Sequence, residues 1–177
     1  MSRKSNLVST SKTNFDETKQ LIRGDIFAED NLLLVVMKWT KTVQFGERLI
    51  KIPVVSIPHS ILCPVEAYHR MVRLTPAAAK SPAFCLKFGK TLEPITYPQF
   101  QKMIRSLINK IGGNPSMYST HSFRRGGATF AFQSQVPGEL IKHVGDWHSD
   151  AYLRYLSFTL EDKLSVSHAM RDHILKS

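Results

Sequence analysis

Cysteine is scarce in this chain: Cys63 and Cys85 are the two thiols among 177 residues. Two thiols cannot build a disulfide framework, and they are too few for a structural zinc site without several histidines. They fit a reducing compartment. Long apolar runs are lacking as well, and no stretch approaches the roughly 20 residues that span a bilayer. The first residues, Met-Ser-Arg-Lys-Ser-Asn-Leu, hold no apolar segment of signal-peptide length. There is no block of about five or six like charges, no internal repeat and no long Gly/Ser linker. Gly and Pro stand at 9 each, which excludes collagen-like and low-complexity chains. Acid is the minority charge: 14 Asp and Glu against 24 Lys and Arg leave a formal net charge of +10. Hydrophobic residues at 42% and aromatics at 10% suffice for a packed core. The expectation is one soluble, basic, intracellular domain. The excess charge suits a polyanionic partner, but charge alone does not separate nucleic acid from a membrane surface or from simple solubility.

The order of elements reads as a small sheet followed by helices. Residues 16–23 form a short loop or helical turn. Residues 31–40, rich in β-branched and aromatic side chains, read as a strand, and 48–55 as a second one, joined by a turn near Gly46. This hairpin carries Lys38, Lys41, Arg48 and Lys51, and Pro53 marks its second strand as an edge or an end. Pro64 opens a helix that runs to Val72. Residues 75–95 look like loop. Thr96 caps an amphipathic helix over 97–111 that Gly112 and Gly113 stop. Thr120 caps a helix over 121–131. Short helices follow at 138–143 and 149–156, and a terminal one spans 160–175.

Two clusters carry chemistry. His121 and Arg124 stand three apart, on one face of a helix. A histidine able to move a proton beside a forked, permanently charged arginine suits an anionic phosphate centre. The plainer alternative is a surface helix start with two solvated arginines. Gly126 and Gly127 beside them are poor helix residues and would let another backbone, or DNA, come close. The second cluster is His143-Val-Gly-Asp-Trp-His-Ser-Asp-Ala-Tyr-Leu-Arg-Tyr155. A phenol is a weak nucleophile at its ordinary pKa of about 10, and flanking cations favour the phenolate. The alternative here is that Tyr152 and Tyr155 form one amphipathic stripe.

Taken in order, an Arg near the start, a Lys on a hairpin, a His-x-x-Arg and a Gly-Asp-Trp-His segment with a Tyr ten residues after its Gly resemble the catalytic domain of the tyrosine recombinases, the phage-integrase family. The wording Gly-x-Trp-x-Ser-Asp-Ala-Tyr-Leu-Arg-Tyr is most similar to the recombinases of eukaryotic mobile elements, of the DIRS-like or Crypton kind. The resemblance covers nearly the whole chain. It implies an α+β fold: a mostly helical tyrosine recombinase catalytic core with a small antiparallel β-sheet near the N-terminus. It assigns Arg3 as the first catalytic arginine, with Asn6 where the family's usual acid stands. Lys41 becomes the hairpin lysine, with Lys38 as a possible substitute. His121 and Arg124 match the second pair, and Tyr155 the nucleophile. Strict spacing puts Asp146 at the remaining His-or-Trp position. An acid is a poor phosphate ligand, so Trp147 is preferred there and His148 comes next.

The resemblance implies a DNA breaking and rejoining enzyme, a site-specific recombinase or integrase of transposable-element origin. Arg3 and Arg124 would grip the scissile phosphate through charge-assisted hydrogen bonds that strengthen in the transition state. Tyr155 would form a 3′-phosphotyrosyl bond, Lys41 would protonate the departing 5′-oxygen, and His121 would help with proton traffic. No ATP, metal or other cofactor is called for. The implied partner is double-stranded DNA, bound as a homo-tetramer on paired sites by the full-length protein, in the nucleus and away from membranes. A type IB topoisomerase shares the phosphotyrosine chemistry, but the wording around Tyr155 argues against it. In the family a helical stretch and a separate DNA-binding domain precede the first arginine, so residues 1–177 read as a catalytic domain truncated at its N-terminus, with Arg3 on a fraying end. The alternative function is a catalytically inactive or truncated DNA-binding remnant of such a recombinase.

Overall fold

The computed structural model describes residues 2–40, 49–156 and 158–176. The chain is α+β, with helices and small antiparallel sheets, and it divides into two compact units, Met1–Arg124 and Arg125–Ser177. The sequence reads as one domain. The division falls inside a helix, between two adjacent arginines, where no composition change marks it.

The first unit begins with α1 (Lys4–Leu7), followed by the strands β1 (Ile26–Ala28), β2 (Leu32–Met37) and β3 (Ile50–Val55), ordered β1-β2-β3. The register pairs Ile26 with Val35 and Leu34 with Pro53. Pro53 is tolerated because β3 is an edge strand, where a missing N–H leaves no ladder bond unmade. β1 is not apparent in the sequence, because its three residues are too few to show a period. On β2 the side chains of Leu33 and Met37 are buried, on the face that the alternation of a strand assigns together. Leu33 packs with Leu21, Ile26, Cys63, Val65 and Ala83 in the core.

α2 (Pro64–Leu74) starts on Pro64, whose absent N–H costs nothing at a helix start. Its C-terminal end is held by Arg23, a buried residue whose guanidinium donates to the Thr75 carbonyl at 3.1 Å. A cation there also suits the negative end of the helix dipole. Residues 75–95 are more than loop: they contain the hairpin β4 (Cys85–Phe88) and β5 (Thr91–Pro94). Gly89, at φ +59°, makes the tight turn that Phe88 and Thr91 close. The strands are short and bracketed by Pro82 and Pro94, which hides them in the sequence.

α3 (Tyr97–Lys110) is capped as expected. The Thr96 hydroxyl accepts from the Gln99 N–H, and the Gln99 side chain accepts from the Thr96 N–H at 2.9 Å. Gly112 follows its end in the left-handed conformation, at φ +78°. α4 (Thr120–Gln133) begins one residue earlier than expected. Ser119 caps it in place of Thr120: the Ser119 hydroxyl accepts from the His121 N–H at 3.2 Å, and the Ser122 hydroxyl accepts from the Ser119 N–H at 3.0 Å.

The second unit contains the rest of α4, α5 (Gly138–Val144), a 3-10 helix over Asp150–Tyr155 and α6 (Leu160–Ile174). The 3-10 turn replaces the α-helix expected over 149–156. Gly138 admits a close approach: a Cβ there would stand 2.9 Å from the Tyr152 hydroxyl. Thr159 and Asp162 cap α6 reciprocally, yet no side chain of α6 is buried.

Candidate active site

The segment that follows Arg3, expected on a fraying end, is anchored from Asn6 on. Asn6, Val8 and Ser9 are buried. The Asn6 carbonyl accepts from the Leu21 N–H at 2.9 Å, and the Ser9 carbonyl accepts from the Tyr97 N–H at 2.8 Å. The Asn6 side-chain amide donates to the Trp39 carbonyl at 2.5 Å, tying α1 to the end of β2. A carboxylate could not make that bond, because it has no proton to donate. The residue that departs from the recombinase pattern therefore has a local role as an amide.

α3 acts as a bracket. Its N-cap, Thr96, forms a parallel bridge with Ser9, two residues past α1. One turn on, Gln101 accepts from the Thr120 N–H and donates to the Tyr118 carbonyl, both at 3.0 Å, so it fixes the start of α4. Phe100 and Phe123 stack with ring centroids 6.3 Å apart and support the same junction. The result is a cavity of about 250 Å³ in the first unit. Arg3, Lys4, Tyr97, Thr120, His121 and Arg124 line it, with three serines. Arg3 is half-buried at the N-cap of α1, Arg124 is 4% exposed, and His121 stands open to solvent. Among the described residues the lining includes no carboxylate. A pocket of this charge favours an anion, and two guanidinium forks can hold the oxygens of a phosphate.

Tyr97 was not singled out by sequence reasoning. The Lys4 ammonium lies 3.5 Å from the centroid of its ring. Its phenol lies below its ordinary pKa of 10, first through a hydrogen bond with Lys4. Burial opposes the shift, while Thr120 and the charges of Lys4 and Arg105 add to it. Lys4 and Tyr97 left no sequence signal beyond their neighbours, Arg3 and the cap Thr96.

Lys41 lies outside the described residues. Lys38, its possible substitute, pairs with Asp25 at 3.0 Å and donates to the Glu17 carbonyl at 3.0 Å.

In the second unit, Tyr155 ends the 3-10 turn, and its backbone carbonyl accepts from the Thr129 hydroxyl. The Trp147 ring stands 6.1 Å from the Tyr155 ring and 5.9 Å from the Tyr152 ring, centroid to centroid. The Arg125 guanidinium lies 5.8 Å from the Tyr155 ring centroid. The loop that delivers Trp147 has two requirements. Asp146 adopts φ +53°, and Gly145 must lack a side chain, because a Cβ there would fall 1.6 Å from a Trp147 ring carbon. The backbone thus turns Trp147 toward Tyr155, while His148 is exposed. Tyr152 is buried and Tyr155 half-buried, and both rings pack against Trp147.

A second, apolar cavity of about 410 Å³ lies in the first unit between the sheet and α2, with Leu33, Val35, Tyr68 and Phe84 in its lining. Among the described residues its lining includes no charged side chain, and its polar side chains are Ser2 and Tyr68. Among the described residues no group of three or more His, Cys, Asp or Glu side chains gathers to hold a metal ion, and no helix is long and apolar enough to cross a membrane. No family model, curated protein or solved structure matches the chain.

Proposed function

We propose that this protein breaks and rejoins DNA strands by the chemistry of a tyrosine recombinase. The observation that carries the reading is the gathering of Arg3, His121 and Arg124, from opposite ends of the first unit's sequence, around one cavity. The resemblance named these residues, and none is a sequence neighbour of the cavity's other wall. In this reading Arg3 and Arg124 hold a phosphodiester and stabilise the charge that grows on its oxygens. Tyr155 attacks phosphorus and the 5′-oxygen leaves. Trp147 packs beside the nucleophile, and Lys41 serves as the hairpin acid. The reaction conserves the phosphodiester's energy in the phosphotyrosyl bond. Duplex DNA is the substrate, and the net charge of +10 suits the backbone around the scissile phosphate. A tetramer on paired sites and a nuclear location go with a mobile-element recombinase.

The test is covalent capture. Nicked suicide duplexes of randomised sequence are incubated with the protein and run on a denaturing gel. A protein–DNA band is expected from the wild type and none from Tyr155→Phe. Arg124→Ala is expected to lose the band by a factor on the order of 100–1,000, the effect of removing one donor to a developing oxyanion, while keeping most of its salt-sensitive DNA binding. No band from the wild type, with binding retained, would leave the DNA-binding remnant as the correct reading. Equal loss of binding and cleavage in Arg124→Ala would make that arginine a general phosphate contact.

A further inference from the structure

Arg23 takes a full charge into the first unit, and the residue is 7% exposed. Its Nη2 donates to the Thr75 carbonyl at 3.1 Å and lies 3.8 Å from the Cys85 sulfur. Among the described residues its buried Nε and Nη1 have no hydrogen-bond partner. Asp25, two residues on, is taken by Lys38 at 3.0 Å and by the Ile22 N–H at 3.2 Å. A buried guanidinium with two nitrogens unsatisfied suits an anion, because a buried charge is costly until it is paired. The segment beside it offers two hydroxyls, each followed by proline: Thr75-Pro76 and Ser81-Pro82. A hydroxyl residue before proline is what proline-directed kinases select. The two differ in access. The Ser81 carbonyl accepts from the Arg23 N–H at 2.9 Å, Pro82 bridges Ile22, and the Ala83 N–H donates to the Leu21 carbonyl at 2.9 Å, so a kinase would have to break this pairing. Thr75 follows the last residue of α2, where a helix end opens at low cost, and Leu74 and Pro76 on either side of it are exposed.

We propose that Thr75 is a phosphorylation site for a proline-directed kinase and that Arg23 receives the phosphate. The inference is independent of the strand-transfer reading above. In the transfer the Thr75 hydroxyl oxygen forms a bond to the γ-phosphorus of ATP. The bond from that phosphorus to the β,γ-bridging oxygen breaks, and ADP leaves with the electron pair. The hydroxyl proton goes to the catalytic aspartate of the kinase. The product carries about two negative charges at neutral pH and three strong acceptor oxygens. A phosphate at a helix C-terminus meets the negative end of the dipole, which amounts to about half a charge. Arg23 already brings a whole charge to the Thr75 carbonyl, and its fork can take two oxygens at once, so attraction outweighs repulsion. Phosphorylation then fastens the end of α2 to the turn before β1 that bears Arg23.

The test uses the full folded chain, incubated with ATP and a purified cyclin-dependent kinase, with the modified residue mapped by mass spectrometry. Phosphate is expected on Thr75 and is expected to vanish in Thr75→Val. No phosphate, or phosphate on Ser81 in place of Thr75, overturns the proposal. Phosphorus NMR then follows the second ionisation of the phosphothreonine, whose ordinary pKa is about 6. A guanidinium paired with the phosphate favours the dianion and is expected to bring that value to about 5 or lower. Because Arg23 is buried, the lowered value should survive about 1 M salt, where the Debye length is about 3 Å and exposed cations such as Arg73 are screened. An ordinary value, or a lowered one that salt restores, makes the phosphate a solvent-exposed mark and overturns Arg23 as its receiver. Arg23→Met keeps an apolar stem, removes the charge and should return the value to about 6. Arg23→Lys keeps the charge without the fork and serves if the methionine form does not fold, and it should retain only part of the lowering. An undiminished lowering in the variant measured overturns the proposal.

Discussion

The first unit carries its polar site on a frame of paired strands and a buried apolar cluster. Leu21, Ile26, Leu33, Cys63, Val65 and Ala83 form one buried cluster, and the segments that bear Arg3 and His121 are stitched to α3 by backbone and Gln101 hydrogen bonds. The second unit has far less to stand on. Among the described residues its buried apolar side chains are Ala128, Ile141 and Tyr152, and α6 buries none while Leu160, Leu164, Met170 and Ile174 are exposed. Its candidate nucleophile packs against the Trp147 ring, with the Arg125 guanidinium over its ring and its carbonyl accepting from Thr129. Phosphate gripping tolerates no drift, because charge-assisted forks lose their strength off-axis. A nucleophile that must form and then release a covalent bond can stand on a less stable element. The contrast in burial therefore follows the contrast in the work proposed for each part.

Each unit holds one tryptophan, Trp39 in the first and Trp147 in the second, so fluorescence can follow them separately in Trp147→Phe and Trp39→Phe backgrounds. The second unit is expected to lose its signal at lower denaturant than the first. Ile141, fully buried on α5, gives the largest lever. Ile141→Ala removes three carbons from a site with few neighbours to collapse inward, at a cost of about 2–5 kcal/mol. The Trp147 transition should move to lower denaturant and the Trp39 transition should stay in place. Coincident movement of both would show that the two parts unfold as one and break the comparison.

The next lever lies in the first unit. Asn6→Asp puts a carboxylate against the Trp39 carbonyl, where an amide now donates at 2.5 Å. Leaving buried acceptors face to face costs about 1–3 kcal/mol. Only a protonated carboxyl could restore the bond, so the penalty should shrink as pH falls. The variant's Trp39 transition should therefore be most shifted at neutral pH and recover in mild acid. A shift independent of pH would mean that the Asn6 amide does not donate in solution.

Legibility differed by element for physical reasons. α2 and α3 were readable because their ends are written in the chain, as Pro64, Thr96 with Gln99, and Gly112. The β2–β3 pair was readable from its β-branched run. The β4–β5 hairpin was not, because each strand has four residues and prolines punctuate them. The site divided in the same way. His121 and Arg124 carry helical spacing that predicts a shared face, and both line the cavity. Arg3 was legible from the resemblance alone. Lys4 and Tyr97 meet across the fold, through a bridge between Ser9 and Thr96 that no local pattern encodes. Whether Asp146, Trp147 or His148 faces Tyr155 depended on a left-handed residue and a glycine forced by a ring, and spacing alone cannot supply either.

The smallest expected effect is electrostatic, and it probes one carboxylate in each unit. In the first unit Asp16 accepts from the Thr18 N–H at 2.9 Å and the Thr18 hydroxyl at 2.6 Å, and its pKa falls from 3.8 to about 2, with Lys19 adding to the shift. In the second, Asp162 accepts from the Thr159 N–H at 2.7 Å and its hydroxyl at 2.8 Å, and these bonds hold its pKa below 3.8. Both groups are depressed on folding, so both stabilise the fold above pH 3.8, and both contributions fade as the pH drops through the folded values. The two differ in what they hold. Asp16 closes a turn, whereas Asp162 caps α6, which has no buried side chain to keep it helical once the cap is gone. Acidification below pH 3.8 should therefore reduce the far-UV helical signal through α6, before Trp39 fluorescence changes. Asp162→Asn keeps an acceptor for the Thr159 N–H but cannot titrate, so it should remove that acid limb. An acid limb unchanged in Asp162→Asn would place the early loss elsewhere and deny the second unit its lower stability at this end.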